Sequence, residues 1–148
     1  ALIYTMRNRA ILCLGSNWDC ESNIHSAGEL LRGYFCPIHF SEPVYTEPVG
    51  LPASGLFLNQ AVVAYTDCCL EEVRRSLKEM EKVLGRMPDS KEKGQIPIDI
   101  DLLLWNNEIL KPADWEKEYV QLLVSSAFES GQNDIRREAV SEKINMVE

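Results

Sequence analysis

Two aspartates interrupt an apolar run in the sequence IPIDIDLLLW, residues 96–105. Burying a carboxylate without a partner is costly, so Asp99 and Asp101 must meet water, a metal cation or a basic side chain. Alternate side chains of a strand share a face, so a strand here would place both carboxylates on one face with α-carbons about 6.6 Å apart. Such a pair suits Mg²⁺, which takes one or two carboxylates and completes its octahedron with water and substrate phosphates. The alternation fits an edge strand with a solvated polar face equally well.

Two further charged residues precede this run. Glu81 and Arg86 stand near the end of a helical pattern, and the loop that follows leads directly to the aspartates. They are therefore candidates for the same cleft. The alternatives are simple: Glu81 is a solvated residue of a charged helix, and Arg86 complements the dipole at the helix C-terminus.

A different set of groups lies in the motifs TEPVG at 46–50 and FLN at 57–59. They offer backbone amides and carbonyls, the aromatic face of Phe57 and the carboxamide of Asn59. An apolar pocket with a few placed polar groups is the usual binding site for a flat, hydrogen-bonding heterocycle. The competing interpretation places Phe57 in the core and uses Asn59 to cap a turn.

The elements that must position these residues follow from hydrophobic periodicity and turn residues. The order is βαββαβ, which predicts an α+β, ferredoxin-like fold with two helices on one face of an antiparallel sheet. Pro43 would confine the second strand to an edge or a bulge, and residues 86–97 are expected to form a polar, flexible connection. The predicted elements are a strand at 9–15, a helix at 21–35, strands at 38–45 and 56–66, a helix at 70–84 and a strand at 98–105.

The last third of the chain shows apolar residues at helical intervals in two groups, which predicts two further helices. Covering one end of the sheet is the role we expect for them. Since no composition break or linker is visible, the whole chain, 1–148, is predicted to form a single domain. The two groups are Trp115, Tyr119, Leu122 and Leu123, and Ile135, Ala139, Val140 and Ile144.

Composition excludes several classes of protein. The net charge of -8 argues against nucleic acid as the partner, although a phosphorylated small molecule is compatible if a metal supplies positive charge. No apolar run approaches the roughly 20 residues that span a bilayer. Five cysteines without a CxxC pair favour free thiols in a reducing compartment, so we expect a cytoplasmic location. The first residues lack the features of a signal peptide, and Met6 is the expected natural start.

Five short motifs, taken together, resemble one family. LGSN at 14–17, TEPVG at 46–50, FLNQAVV at 57–63, EKVLGR at 81–86 and IDIDLLLW at 98–105 occur in the order seen in the 6-hydroxymethyl-7,8-dihydropterin pyrophosphokinase family of folate biosynthesis. The combination is much more specific than any one motif. The resemblance covers about residues 10–105 and leaves the C-terminal part divergent.

The resemblance implies a Mg²⁺-dependent transfer of diphosphate from ATP to the hydroxymethyl group of the reduced pterin, with release of AMP. It implies that Asp99 and Asp101 hold two Mg²⁺ ions and act with Arg86 in catalysis. We expect a monomer whose partners are ATP and the pterin, with neither nucleic acid nor a membrane as partner. On the nucleotide side, the candidates are Glu81, Lys91 and Lys93. The residues assigned to the pterin pocket are Thr46, Pro48, Val49, Phe57 and Asn59.

The chain departs from the family pattern in the loop before the aspartate strand. Family members place several arginines and a tryptophan there and an arginine directly before the strand, whereas this chain has Pro88, Lys93 and Ile96 at the corresponding spacing. After the last strand, a proline–histidine pair, an arginine and a phenylalanine are expected. Pro112 is here followed by alanine, and Tyr119 and Gln121 stand at the other two positions.

These departures leave alternatives open. One is a slow enzyme whose basic groups come from Lys91, Lys93, Arg74 or Arg75, although a lysine lacks the bidentate fork of arginine. A second is a binding module that keeps the pterin pocket or the nucleotide site and has lost the chemistry. A third interprets the DID element as the metal motif of a sugar-nucleotide transferase, for which the chain looks too short.

Overall fold

The computed structural model describes residues 7–47 and 55–147, with 142–147 as backbone alone. One antiparallel sheet organises these residues, with the strand order β2-β4-β1-β5-β6 and β3 paired to β4. The expected start at Met6 lies outside the described residues. The strands are β1 (Asn8–Ser16), β2 (Ile38–Phe40), β3 (Val44–Thr46), β4 (Phe57–Thr66), β5 (Asp99–Trp105) and β6 (Glu108–Ile109).

Two helices, α1 (Cys20–Arg32) and α2 (Leu70–Val83), pack on the same face of this sheet. Their apolar stripes, with Leu31 and Val73 fully buried, meet inward residues such as Leu12 and Ile98 in one core. The chain order and the shared face confirm the predicted ferredoxin-like α+β architecture.

The second strand of the prediction is interrupted, as Pro43 required. β2 and β3 both pair with β4, and Ser41 bridges the interval between them. Its backbone N–H donates to the Ala61 carbonyl at 2.9 Å, and its hydroxyl accepts the Ala61 N–H at 2.9 Å. A side-chain oxygen thus replaces one ladder bond at the edge, where a proline cannot donate.

The connection expected to be flexible contains a short helix, α3 (Ser90–Lys93). The Ser90 hydroxyl accepts the Met87 N–H at 2.9 Å, and Gly94 ends the helix with a φ of +69°. A local turn stabilised by a serine is difficult to recognise in a stretch that is otherwise only polar.

Strict alternation along β5 fails at its far end. Leu12 pairs with Leu102, whereas its neighbour Ile11 pairs with Leu104, so Leu103 is an extra residue. Leu103 and Leu104 consequently pack into the same core, which is the effect of a β-bulge. The bulge comes after the two aspartates, which keep the common face that the alternation predicted.

The C-terminal prediction requires correction. After the short helix α4 (Pro112–Trp115), a single helix of 30 residues, α5 (Glu118–Val147), replaces the two that were expected. No proline interrupts it, and Gly131 alone does not end a helix. Its first half packs through Val120, Leu123 and Val124 on the sheet face opposite α1 and α2, rather than at one end of the sheet. None of the helices in the described ranges combines the length and apolarity that crossing a bilayer requires.

Candidate functional site

A cavity of about 400 Å³ opens beside the first residues of β5. It lies where β1 ends, between the strands β3 and β4 on one side and α4 with the start of α5 on the other. The described lining carries four carboxylates and three lysines. The predicted site residues that the fold brings to it are Thr46, Phe57, Asn59, Lys91, Asp99 and Asp101.

Of the other predicted site residues, those that the structure describes do not line the cavity. Pro48 and Val49 are outside the described residues. Glu81 and Arg86 stand beside the cavity wall and contact β5. The Lys93 ammonium pairs with Asp89 at 3.0 Å and does not line the cavity.

Asp99 and Asp101 face the cavity from one side of β5, opposite Gly15 and Cys13 of β1. Each carboxylate meets a basic side chain from another element. Arg86 Nη1 donates to Asp99 Oδ1 at 2.9 Å, and Lys111 Nζ donates to Asp101 Oδ1 at 2.6 Å. Of the three environments that the sequence allowed, the structure shows the basic partner.

The pKa of the Asp101 carboxyl is raised to about 6. Burial is the largest cause, and the negative charge of Asp99 adds to it, whereas the hydrogen bond and charge of Lys111 oppose it. Burial lowers the pKa of Lys111, but the hydrogen bond and charge of Asp101 outweigh burial, so the pKa is raised overall. The charged form of Asp101 is therefore unfavourable in the metal-free site, mainly because the carboxyl is buried and also because Asp99 lies near it.

Glu81 is buried, with only 3% of its surface exposed, and is not a solvated helix residue. Its Oε2 accepts the backbone N–H of Ile100 at 2.9 Å and lies 3.4 Å from Arg86 Nη1. Ile100 lies between the two aspartates. Its N–H points to the outer edge of β5, where the described strand β6 pairs only with Leu104 and Trp105. Lys78 lies 3.5 Å from Oε1. Glu81 thus takes the place of a neighbouring strand and holds the aspartate segment.

Arg86 does more than complement a helix dipole. Gly85, with a φ of +98°, turns the chain after α2, a conformation that glycine adopts readily. Arg86 then points back to β5, where Nη1 donates to the Ile98 carbonyl at 3.2 Å as well as to Asp99. One guanidinium nitrogen therefore lies among three acceptors.

The opposite wall presents a carboxamide and an aromatic ring. Asn59 Nδ2 donates to Thr46 Oγ1 at 2.6 Å and to the Phe57 carbonyl at 3.3 Å, which identifies the nitrogen side of the amide. Asn59 Oδ1 accepts no hydrogen bond from the part of the chain that the structure describes. A side chain at Gly15 would sit 3.5 Å from this oxygen and 3.7 Å from the Phe57 ring. Glycine there keeps an acceptor and an aromatic face accessible.

A second cleft, of about 230 Å³, adjoins the outer edge of β5. Its apolar residues include Leu77, Leu102 and Leu110, and its cationic residues include Arg74 and Lys78. Asp101 and Lys111 line both this cleft and the cavity. Arg75, the neighbouring candidate, instead lines a separate groove with Leu30 and Tyr34 between α1 and α2.

Several residues of the cavity wall were not identified as site residues from the sequence. Lys111 follows β6, Asp114 lies on α4, Lys117 lies between α4 and α5, and Tyr119 lies on α5. Lys117 pairs with Asp114 at 3.0 Å. The stretch KPADWEK offers one local signal, a proline at the first position of a helix. That its lysines face the aspartates depends on the β5–β6 turn, which sequence periodicity does not reveal.

The donor set suits a hard cation completed by substrate. The described residues contain no group of three or more His, Cys, Asp or Glu placed to hold a metal ion by themselves. Two carboxylates on one strand face match Mg²⁺, which takes its other ligands from water and phosphates. Burial, then the charges of Asp101 and Asp99, raise the pKa of the Cys13 thiol to about 12, so the neutral thiol is favoured in the metal-free site.

Comparison with known proteins agrees with this arrangement. The family model described as 7,8-dihydro-6-hydroxymethylpterin-pyrophosphokinase matches residues 11–127. The match continues beyond β5 through α4 and the part of α5 that lines the cavity. The chain is also 28% identical over 126 residues to the folate synthesis bifunctional protein of Arabidopsis thaliana, which covers 78% of this chain. It spans about a quarter of that relative's length, 26%.

Proposed function

The chain belongs to the 7,8-dihydro-6-hydroxymethylpterin-pyrophosphokinase family, and on that premise we propose that it transfers diphosphate from ATP to 6-hydroxymethyl-7,8-dihydropterin, releasing AMP, in folate biosynthesis. The observation that carries the proposal is the position of the aspartate pair. Asp101 and Lys111 line both the cavity and the cleft. A nucleotide in one and an acceptor in the other would meet at these side chains.

The cavity suits the pterin. Phe57 offers a ring for stacking, and Asn59 Oδ1 is an acceptor in the cavity wall that could bind the edge of a flat heterocycle. Thr46 supports this orientation because its hydroxyl accepts the Asn59 amide. We assign Pro48 and Val49 to the same pocket on the resemblance alone.

The cleft suits the nucleoside part of ATP. Its apolar residues can contact a base, while Arg74 and Lys78 provide positive charge. From there the triphosphate would cross β5 at Asp101. The pterin hydroxymethyl oxygen then attacks the β-phosphorus, the bond from that phosphorus to the α,β-bridging oxygen breaks, and AMP leaves; the hydroxyl proton is released to solvent.

We assign the metal ligands to Asp99 and Asp101, for two Mg²⁺ ions. Bound dications would neutralise the polyphosphate and hold it in line with the acceptor, which is most of what diphosphate transfer requires from a protein. Glu81 and Arg86 hold the aspartate segment in place through Ile100 and Asp99. Their first role is therefore positioning.

Lysines replace part of the charge that family members take from arginines. Lys91, Lys111 and Lys117 line the cavity, whereas Lys93 would have to leave Asp89 to reach it. A lysine is a point charge, and loss of one preorganised donor can cost about a hundredfold in rate. We therefore expect a slow enzyme. The same shortage of arginines favours one alternative, a module that binds the pterin or nucleotide without turnover.

The proposal extends to the setting of the enzyme, a cytoplasmic monomer acting on small molecules. The cysteines are free: Cys13, Cys20, Cys36, Cys68 and Cys69 form no disulfide within the described residues, which supports a reducing compartment.

The decisive experiment is AMP release by the purified chain with ATP, Mg²⁺ and the reduced pterin. Asp101→Asn should lower the rate by about a hundredfold or more because it removes a charged metal ligand. Asp89→Asn is the matched control, an exposed carboxylate paired to Lys93 outside the cavity, and should keep the wild-type rate. Absence of AMP at saturating substrates, together with calorimetric binding of the pterin, would favour the binding module.

A further inference from the structure

Lys111 and Arg86 neutralise the aspartate pair in different ways. Arg86 is the more enclosed, with 23% of its side chain exposed and three acceptors around Nη1. Lys111 has 46% of its side chain exposed, and its ammonium has one hydrogen-bond partner among the described residues, Asp101. The guanidinium is built into the wall, whereas the ammonium is held at a single point.

From this difference we infer that Lys111 is an exchangeable counter-ion, which occupies Asp101 until a dication binds there and then moves to the polyphosphate of the nucleotide. The inference rests on the proposed function and deepens it by giving Lys111 two successive partners. No residue of the family motifs quoted above occupies this position.

Competition for one oxygen atom drives the exchange. Lys111 Nζ lies 2.6 Å from Asp101 Oδ1, and a dication at that oxygen would stand about 2.1 Å from it. Two cations so close together repel each other strongly in a partly buried site. Lys111 is the partner that can leave, because its long aliphatic stem is flexible and its other side is open.

The position of Lys111 determines which group its ammonium contacts after a dication displaces it from Asp101. Its side chain lines both the cavity and the cleft, so a small movement keeps it beside a polyphosphate that passes between them. Lys117 stays with Asp114 at 3.0 Å, and Arg86 stays among its three acceptors. Lys111 therefore supplies the displaceable charge, and dication and nucleotide binding become coupled through it.

The coupling gives Lys111→Met opposite effects on two measurements, neither of which is catalytic activity. Without nucleotide, the variant should bind Mn²⁺, followed by electron paramagnetic resonance, about threefold to tenfold more tightly, because the competitor for Asp101 is gone. With saturating Mg²⁺, it should bind a non-hydrolysable α,β-methylene ATP analogue about tenfold more weakly by calorimetry, because a charged hydrogen bond is lost. Methionine keeps the apolar length of the stem.

Lys82→Met is the control, since Lys82 lies on α2, 70% exposed and paired with Glu79. It should change neither constant. Lys111→Gln provides a second neutral variant, and both are checked for unchanged thermal unfolding in EDTA. If Lys111→Met and Lys111→Gln bind Mn²⁺ as the wild type does or more weakly, or bind the analogue equally well, the exchange is wrong. A wild-type chain that binds neither Mn²⁺ nor the analogue overturns the proposed function itself.

Discussion

The two faces of β5 place the same backbone in opposite surroundings. On one face, Ile98 and Ile100 pack against α2 and are 0% and 6% exposed. On the other, the Asp99 and Asp101 side chains are 36% and 26% exposed beside the cavity. The helix α2 covers the first face, whereas the described apolar contacts of α5 on the second face reach β5 at its far end, at Leu103 and Leu104.

The difference shows how one strand can hold repelling carboxylates. The apolar row, Ile98 and Ile100, anchors the backbone through its packing, and Glu81 also holds it by accepting the Ile100 N–H. Asp99 and Asp101 form the charged row on the other face. The charged row can then be unfavourable for folding without displacing the strand. Active sites commonly carry such unfavourable groups, which the rest of the fold offsets.

The largest effect on stability is expected from truncating an apolar side chain of β5. Ile98→Ala should lower the free energy of unfolding by about 2–5 kcal/mol, because it leaves a cavity in a fully buried position. Asp101→Asn, on the other face, should change it by less than about 1 kcal/mol or stabilise the metal-free protein. Urea denaturation in EDTA measures both. Equal losses would show that the two rows share the structural role.

The packing of α5 on the second face of the sheet requires a close approach at Gly131. A β-carbon at Gly131 would come within 2.8 Å of the His39 ring on β2, whose Nδ1 lies 3.3 Å from Asp134 on the same helix. Gly131→Ala should therefore cost about 1–2 kcal/mol, since overpacking outweighs the gain in helix propensity. Thermal unfolding measures the loss.

Gln132→Ala is the matched control, because Gln132 is the next residue of α5 and is exposed. It should be neutral or slightly stabilising. Stabilisation of Gly131→Ala to the same degree would mean that α5 can shift away from β2 without loss.

The fold was largely predictable because each element carries its own periodic signal. Alternation in β4 and β5 and the apolar stripes of α1 and α2 each depend on residues close in sequence. The features that were not predicted include three of another kind. The bulge at Leu103 and the opposite-face packing of α5 depend on partners distant in sequence, and the continuity of α5 across Gly131 depends on packing rather than propensity.

The features of the candidate site also divide into those that local sequence predicts and those that depend on distant partners. The common face of Asp99 and Asp101 follows from the strand period, and the presence of Phe57, Asn59 and Thr46 at the cavity agrees with the resemblance. That Glu81 would be buried and would bind a backbone N–H could not be predicted, because it depends on a strand edge without a pairing strand. Lys111 was missed because the turn after β5 sets its direction.

The charged row should also show in the pH dependence of stability. The Asp101 pKa is raised from 3.8 to about 6 in the folded state, mainly by burial, so folding favours its protonated form. Protonated Asp101 therefore contributes fully to the free energy of unfolding below pH 3.8, and this contribution is lost as the pH rises through 6. Between about pH 5 and 7.5 in EDTA, the wild type should lose on the order of 1 kcal/mol relative to Asp101→Asn.

Taking the difference between the two proteins at each pH removes the titration of the groups that Asp101 does not influence. Guanidinium denaturation at several pH values gives the required free energies. A constant difference across this range would mean that folding does not raise the Asp101 pKa.

The smallest effects separate two lysines of α3. Residues two positions apart on a helix point in directions about 200° apart, and accordingly Lys91 lines the cavity while Lys93 pairs with exposed Asp89. Lys91→Ala should raise the KM for ATP about threefold to tenfold, because a charged contact near the polyphosphate is lost. Lys93→Ala should stay within about twofold, since an exposed pair contributes little. Equal increases in KM would show that α3 rotates or unwinds when the nucleotide binds, which would bring Lys93 from the solvent side to the charged face of the site.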